Sequence, residues 1–311
     1  MKAFHLPIAL VVLAALMGAL SCSSGGEGNG GSEAPPGMLE EPILVRGPET
    51  PEGLQLIFAT PDLGLGNNRI GFVVTSPRGV VQLPEVEVTS FFYPSEEGPG
   101  EEKQRVSAVF RPWPFGTRGL HTTELSFDAK GTWGIEVDVP GPEGLGGAPT
   151  LRFPVEEVPT AVDVGSSAVR SDSKTHADVD DISELTTGTL RDEDLYQLTI
   201  AEAIDNDLPT VVVMASPAFC TNAVCGPQVD VLHELKEAFK YQANFIHVDL
   251  YDNPHEIQGD LDLAVLSPTV LEWRLPSTEW SFVINKSGIV TGRFEGFATL
   301  DELAMALEEV L

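Results

Sequence analysis

Ser216-Pro-Ala-Phe-Cys220-Thr-Asn-Ala-Val-Cys225-Gly-Pro227 is the stretch from which the chain is best read. It follows a short apolar run, Thr210-Val-Val-Val-Met-Ala215. After it, Val229, Leu232, Leu235, Ala238 and Phe239 recur at helical spacing as far as Tyr241. This predicts a buried strand, a tight loop holding two cysteines, and an amphipathic helix. A helix N-terminus carries unpaired N–H groups and a partial positive charge. A thiolate placed there is stabilised, so the thiol titrates lower and attacks more readily at neutral pH. Two thiols five residues apart can also close a small disulfide ring. Cys220 and Cys225 are therefore the candidate redox pair.

Working outward, Asn244-Phe-Ile-His-Val-Asp-Leu250 reads as the next strand, and residues 255–266 as helical. Glu279-Trp-Ser-Phe-Val-Ile284 and Gly288-Ile-Val-Thr-Gly-Arg-Phe294 are expected strands, joined by the turn Asn285-Lys-Ser-Gly288. Thr199-Ile-Ala-Glu202 and Thr299-Leu-Asp-Glu302 are capping boxes, each opening a helix. The order over residues 195–311 is α-β-(Cys-x4-Cys)-α-β-α-β-β-α.

That order resembles the thioredoxin fold. Val164-Gly-Ser-Ser-Ala168 is similar to the lead-in of the related peroxiredoxins. The local matches are Phe219-Cys220 (an aromatic residue before a cysteine), Cys225-Gly-Pro227, the strand and turn from Phe245 to Asn253-Pro254, and Phe294-Glu-Gly296 before the last helix. The resemblance implies thiol–disulfide exchange, with Cys225 as the low-titrating thiol and Cys220 as its partner. Departures from the pattern are equally specific. The spacing is Cys-x4-Cys, and Gln228 stands where the resolving cysteine would be. The position of the family's cis-proline falls at Glu279 or Trp280, and Met214 replaces its buried acid. Glu279, Trp280, Phe219 and Pro227 are accordingly expected to modulate the pair. An acid at Glu279 facing it would oppose thiolate formation. Sco-type copper proteins resemble this plan too, with a closer cysteine pair and a distant histidine. By that likeness copper(I) would take Cys220, Cys225 and either His247 or His255. Otherwise no cofactor is implied.

Residues 42–158 lack helical periodicity and show short β-rich runs between Gly/Pro turns. Seven such runs begin near Leu54, Arg69, Val86, Val106, Leu120, Thr132 and Leu151. They predict an immunoglobulin-like β-sandwich. Trp133, in an apolar-strand–Gly-x-Trp hairpin, is expected in its core, and His121 on its surface. The fold class expected for the chain is thus two domains, an all-β immunoglobulin-like sandwich followed by an α/β thioredoxin-like fold. Residues 159–194 are polar and acidic, and read as a linker and irregular lead-in.

The N-terminus is a targeting segment. Lys2 and His5 precede an apolar run ending at Ala19-Leu20-Ser21-Cys22, too short for an ordinary membrane span. This resembles a bacterial lipoprotein signal, residues 1–21, with lipid carried by Cys22. Residues 22–41, rich in Gly, Ser, Pro and Glu, read as a flexible tether. The expected location is the cell envelope, extracytoplasmic and membrane-anchored. There Cys220 and Cys225 are the two remaining cysteines in an oxidising compartment. With 47 acidic against 18 basic residues the net charge is −29, which argues against nucleic acid as a partner. The implied partners are envelope protein thiols and disulfides. Two alternatives stand beside exchange or redox sensing: a non-catalytic scaffold lipoprotein with a structural Cys220–Cys225 disulfide, and copper(I) handling.

Overall fold

Alternation of apolar and polar residues turns most of the first half of the chain into strand. The computed structural model describes residues 45–114, 116, 118–141, 146–219 and 227–311. The strands are β1 (Gln55–Phe58), β2 (Gly66–Ser76), β3 (Gly79–Val80), β4 (Glu85–Tyr93), β5 (Glu101–Pro112), β6 (Gly119–Phe127), β7 (Gly131–Asp138) and β8 (Thr150–Val155). They hydrogen-bond in one path, β1-β2-β6-β5-β4-β7-β8, with β3 beside β2. Every pairing is antiparallel.

This corrects the expected sandwich. A sandwich would divide the strands between two facing sheets, but β6 pairs with both β2 and β5 and joins the halves into one sheet. The sheet curls until its ends meet, and Phe58 of β1 stacks on Phe153 of β8 with ring centroids 4.6 Å apart. The long β2 and β5 strands, and a bulge at Ser90/Phe91, supply the coil that a nearly closed, barrel-like sheet requires. Phe72, Phe127, Trp133 and Phe153 fill its interior, each such side chain contributing about 2 kcal/mol by transfer from water. Trp133 is fully buried, and its indole donates to the Ala129 carbonyl at 2.8 Å. His121 is buried as well, against expectation. Its Nε2 donates to the Leu83 carbonyl at 2.9 Å, and burial lowers its pKa and keeps the ring neutral.

A second sheet has four strands in the order β10-β9-β11-β12, from β9 (Thr210–Ala215), β10 (Asn244–Val248), β11 (Glu279–Ile284) and β12 (Val290–Glu295). β9 and β10 run parallel, and β11 is antiparallel to both β9 and β12. The helices are α1 (Ile200–Ile204), α2 (Gln228–Ala238), α3 (Pro254–Ile257), α4 (Pro268–Glu272) and α5 (Leu300–Glu308). The Thr199 and Thr299 capping boxes form as expected. The helical segment expected over 255–266 reduces to α3 and a 3-10 turn at Leu261–Leu263.

The expected class, a sandwich plus a separate α/β thioredoxin-like fold, does not describe this architecture. Among the described residues the chain is mostly β, and three of the five α-helices span only four or five residues. The two sheets also share their core. Ile57, Val73 and Leu120 of the first pack in one cluster with Val211, Val213, Leu232 and Phe297 of the second part. Period-2 patterning identifies strands but carries no information on which strands pair.

Buried charges fasten the sheets together. Arg69 of β2 lies 2.9 Å from Glu302 of α5 and donates to the carbonyls of Glu295 and Phe297. Asp62, between β1 and β2, meets Arg293 of β12 at 2.6 Å and accepts the Thr160 and Ala161 N–H groups. Its own N–H donates to the Glu295 carboxyl at 2.9 Å. The polar segment 159–194 runs over this junction in 3-10 turns, burying Ala161, Val162, Ile182 and Leu185.

Candidate functional site

Strand direction assembles the site. Because β9 and β10 are parallel and β11 is antiparallel to β9, the ends of β9 and β10 and the start of β11 share one edge of the sheet. In sheets with parallel strands, the crevice beyond the carboxyl ends is the usual place for chemistry. Ser216 to Phe219 continue from β9 here, closed by a bond from the Phe219 N–H to the Ser216 carbonyl at 3.0 Å. The chain is next described at Pro227, which caps α2 without a side-chain hydrogen bond. Cys220 and Cys225 lie outside the described residues, as do the signal, the tether and Cys22.

The root of this loop is fixed by a buried polar network. Asp249, just past β10, is 3% exposed. It accepts the Ser216 hydroxyl, the Thr187 N–H at 2.7 Å, the Thr187 hydroxyl at 2.9 Å and the Tyr251 N–H at 3.2 Å. Thr187 Oγ1 in turn accepts the Ala218 N–H at 3.3 Å. Asp249 therefore holds the limb leading to Cys220 at two points. Burial pushes its pKa up, against the pull of His247 and these donors.

His247 on β10 carries the second half of the network. Its Nε2 is 2.9 Å from the Ala215 carbonyl and its Nδ1 is 2.7 Å from the Tyr196 hydroxyl. A carbonyl only accepts, so Nε2 bears the proton and Nδ1 accepts from tyrosine. Burial lowers the pKa of His247 and raises that of Tyr196, keeping both neutral. Tyr196 belongs to a 3-10 turn, Glu193–Tyr196, whose capping residue Asp192 binds Lys236 of α2 at 2.9 Å. A cleft of about 290 Å³ borders the network, lined by Tyr196, His247, Asp249, Tyr251, Lys174 and Ser267 among others.

The other residues singled out in the sequence divide. Phe219 is half-buried, with its ring edge-on to Tyr251 at 5.7 Å. Glu279 is 2% exposed at the start of β11, in register with Ala215, so it stands at the same sheet edge as the loop root. Trp280 is fully buried one residue further on, its indole donating to the Ser277 carbonyl at 3.1 Å and its ring covered by Arg293. As copper ligands the histidines fare differently. Both ring nitrogens of His247 are engaged, and His255 is half-exposed, 3.9 Å from Glu256. Among the described residues no group of three or more His, Cys, Asp or Glu side chains is arranged to hold a metal ion. Among them, too, no helix is long and apolar enough to cross a membrane.

Sequence reading missed Ser216, Asp249, Thr187 and Tyr196. Ser216 and Asp249 offered one signal: each is the first polar residue after a wholly apolar or buried strand. Thr187 and Tyr196 sit in or beside a segment whose acidic composition conceals them. Comparisons with protein-family models, with curated proteins and with solved structures found no match.

Proposed function

We propose that this chain is a lipid-anchored, extracytoplasmic protein that performs thiol–disulfide exchange, or senses redox state, through Cys220 and Cys225. The observation that carries the reading is positional. Apart from Cys22, the only cysteines of the sequence fall between Phe219, which follows β9, and Gln228, the first residue of the 11-residue α2. A thiolate near such a helix start is favoured by the peptide dipoles. The network under Ser216 and Ala218 supports the reading by giving the loop a rigid root.

In the reducing direction the Cys225 thiolate attacks one sulfur of a substrate disulfide. A mixed disulfide forms and the other substrate sulfur leaves as thiolate, taking a proton from water. The Cys220 thiolate then attacks the Cys225 sulfur and expels the second substrate thiolate. The substrate has gained two electrons and two protons, and the chain holds a Cys220–Cys225 disulfide. The reverse sequence oxidises a substrate dithiol. The partners are thiols and disulfides of other envelope proteins. Cys22 carries the lipid that anchors the chain to the membrane, and the charge of −29 disfavours nucleic acid.

The deciding experiment equilibrates the full-length protein in glutathione buffers and traps the thiols. A potential in the range of exchange proteins, about −120 to −270 mV, is the expected outcome. A value below about −300 mV would mark a structural disulfide and return the scaffold reading. Substituting Cys22 by Ser should release the protein from the membrane fraction. If the variant remains bound and the wild type carries no lipid, the anchor is wrong.

A further inference from the structure

We propose that the cleft beside His247 and Asp249 is a binding site for a small primary ammonium ion, held by the hydroxyls of Ser267 and Thr269 and the carboxylate of Asp172. The site uses neither cysteine and stands or falls apart from the exchange reading.

Two buried hydroxyls here are left unused by the fold. Ser267 is 7% exposed and Thr269 4%, and both line the cleft. Ser267 occupies the cap position of α4, where a serine ordinarily accepts an N–H group of its own helix. It makes no such bond, whereas Thr199 and Thr299 at the same position of α1 and α5 do. Neither hydroxyl, of Ser267 or Thr269, has a hydrogen-bond partner in the protein. Buried polar groups are nearly always bonded to something. Two side by side on a cleft, both unclaimed, call for a partner from outside the chain.

The charges around them select its chemistry. Asp172 is brought to α4 by its neighbour Ser171, whose hydroxyl accepts the Trp273 indole N–H at 3.2 Å. Asp172 and Glu184 line the cleft together with Asp252. Lys174 is the one lysine or arginine lining it. Its Nζ is taken by the carbonyl of Asp252 at 2.6 Å and by its carboxylate at 2.9 Å. His247 adds no charge, since burial keeps it neutral. The balance is negative, which disfavours an anion. Among the described residues no set of three side chains is arranged for a metal ion. An ammonium group brings three donors and no acceptor, matching two hydroxyls and a carboxylate. Leu185, Val248 and Pro268 supply apolar lining for a short carbon chain. A volume of about 290 Å³ lies at the small end of ligand pockets and keeps the molecule small.

Calorimetric titration of the full-length protein in detergent tests this with butylamine, and with butyrate as its anionic counterpart. Butylamine should bind one-to-one with a dissociation constant of about 1 mM, within reach of so small a ligand, and butyrate should not bind. Losing one hydrogen bond to a charged group lowers affinity about tenfold. Ser267→Ala and Thr269→Val should each weaken butylamine by that factor, and Asp172→Asn by at least as much. The thermal midpoint of ligand-free Ser267→Ala should match wild type, because the hydroxyl bonds nothing within the fold. Unchanged affinity in the double variant Ser267→Ala with Thr269→Val overturns the proposal, since it reduces the effect to cations gathering on a chain of charge −29. Equal binding of tetramethylammonium, which has no N–H to donate, overturns it as well, as does the absence of saturable binding. If the variants do not fold, the wild-type ring protons of Tyr196 and Tyr251, which line the cleft, decide. They should shift with butylamine at the calorimetric midpoint, and signals that stay still overturn the site.

Discussion

The Asp249 carboxyl, just past the end of β10, accepts the hydroxyl of Ser216 at the end of β9. Two parallel strands are thus tied at the point where the chain leaves the sheet for the cysteine loop. The same carboxyl takes three further donors from Thr187 and Tyr251, so its loss strands several buried polar groups at once. Asp249→Ala should cost about 3–5 kcal/mol of stability. Asp249→Asn keeps the shape but sets its NH2 against a backbone N–H, that of Tyr251 on one side or of Thr187 on the other, so it should lose a comparable amount. Urea unfolding at pH 7 measures both. A much smaller loss in Asp249→Asn than in Asp249→Ala would mean that one oxygen is dispensable as an acceptor.

The junction of the two sheets yields a second expectation. Arg69 and Glu302 are each about nine-tenths buried and 2.9 Å apart. Burial alone would push the Glu302 carboxyl up, but Arg69 draws it below the usual range. Arg69→Met leaves Glu302 buried without its cation and should cost roughly 3–5 kcal/mol. The double change Arg69→Met with Glu302→Met should recover most of that loss, since desolvating the pair nearly cancels its attraction. A double variant as unstable as the single one would assign the effect to the carbonyls of Glu295 and Phe297, which Arg69 also serves, or to the Thr299 N–H that Glu302 caps.

Gly288 closes the β11–β12 turn with φ of 74°, and a Cβ there would stand 3.0 Å from Ile204 Cγ2. Gly288→Ala should therefore lose about 1–2 kcal/mol, read as a lowered thermal midpoint. An unchanged midpoint would show that the turn relaxes without strain.

How far these features could be read from the sequence depends on their range. Capping boxes at Thr199 and Thr299 are legible because donor and acceptor lie within one helical turn. The second duty of Glu302, pairing with Arg69 from 233 residues away, has no local sign. The strands of residues 42–158 were legible from alternation. Their pairing was not, because β6 reads the same whether it joins one neighbour or two. The acidic segment 159–194 looked like a solvated linker, yet Ser171, Ser173 and Thr175 are buried in it. The hydroxyls of Ser171 and Ser173 reach partners supplied by later elements, accepting the Trp273 indole N–H at 3.2 Å and the Ile200 N–H at 3.1 Å. Composition averages over such pairings. Cys220 and Cys225 lie outside the described residues, so their reading as a pair rests on residue type and spacing alone.

Glu295 supplies a pH dependence whose sign can be worked out. It ends β12, is 4% exposed, and accepts the Asp62 N–H at 2.9 Å and the Ser277 hydroxyl at 2.7 Å. Burial raises its pKa from an ordinary 4.5 to about 7, and the donors and Arg293 only partly offset this. The folded state therefore holds a proton that the unfolded chain has released between about pH 4.5 and pH 7. Its stabilising contribution is complete below pH 4.5 and is lost as the pH rises through about 7. The full swing is on the order of 3 kcal/mol. His247 acts oppositely, since its lowered pKa adds stability as the pH rises towards the ordinary histidine value and no more above it. The raw pH profile consequently mixes these with other buried groups such as Asp249 and His121, and the Glu295→Gln variant isolates the share of Glu295. Gln keeps the neutral form at every pH, so its stability relative to wild type should climb from pH 4.5 to pH 8 and then level off. Denaturation curves at half-unit steps of pH measure that difference directly. A difference that stays flat across the window would mean that Glu295 ionises normally, and that Asp62 and Ser277 hold it as a carboxylate.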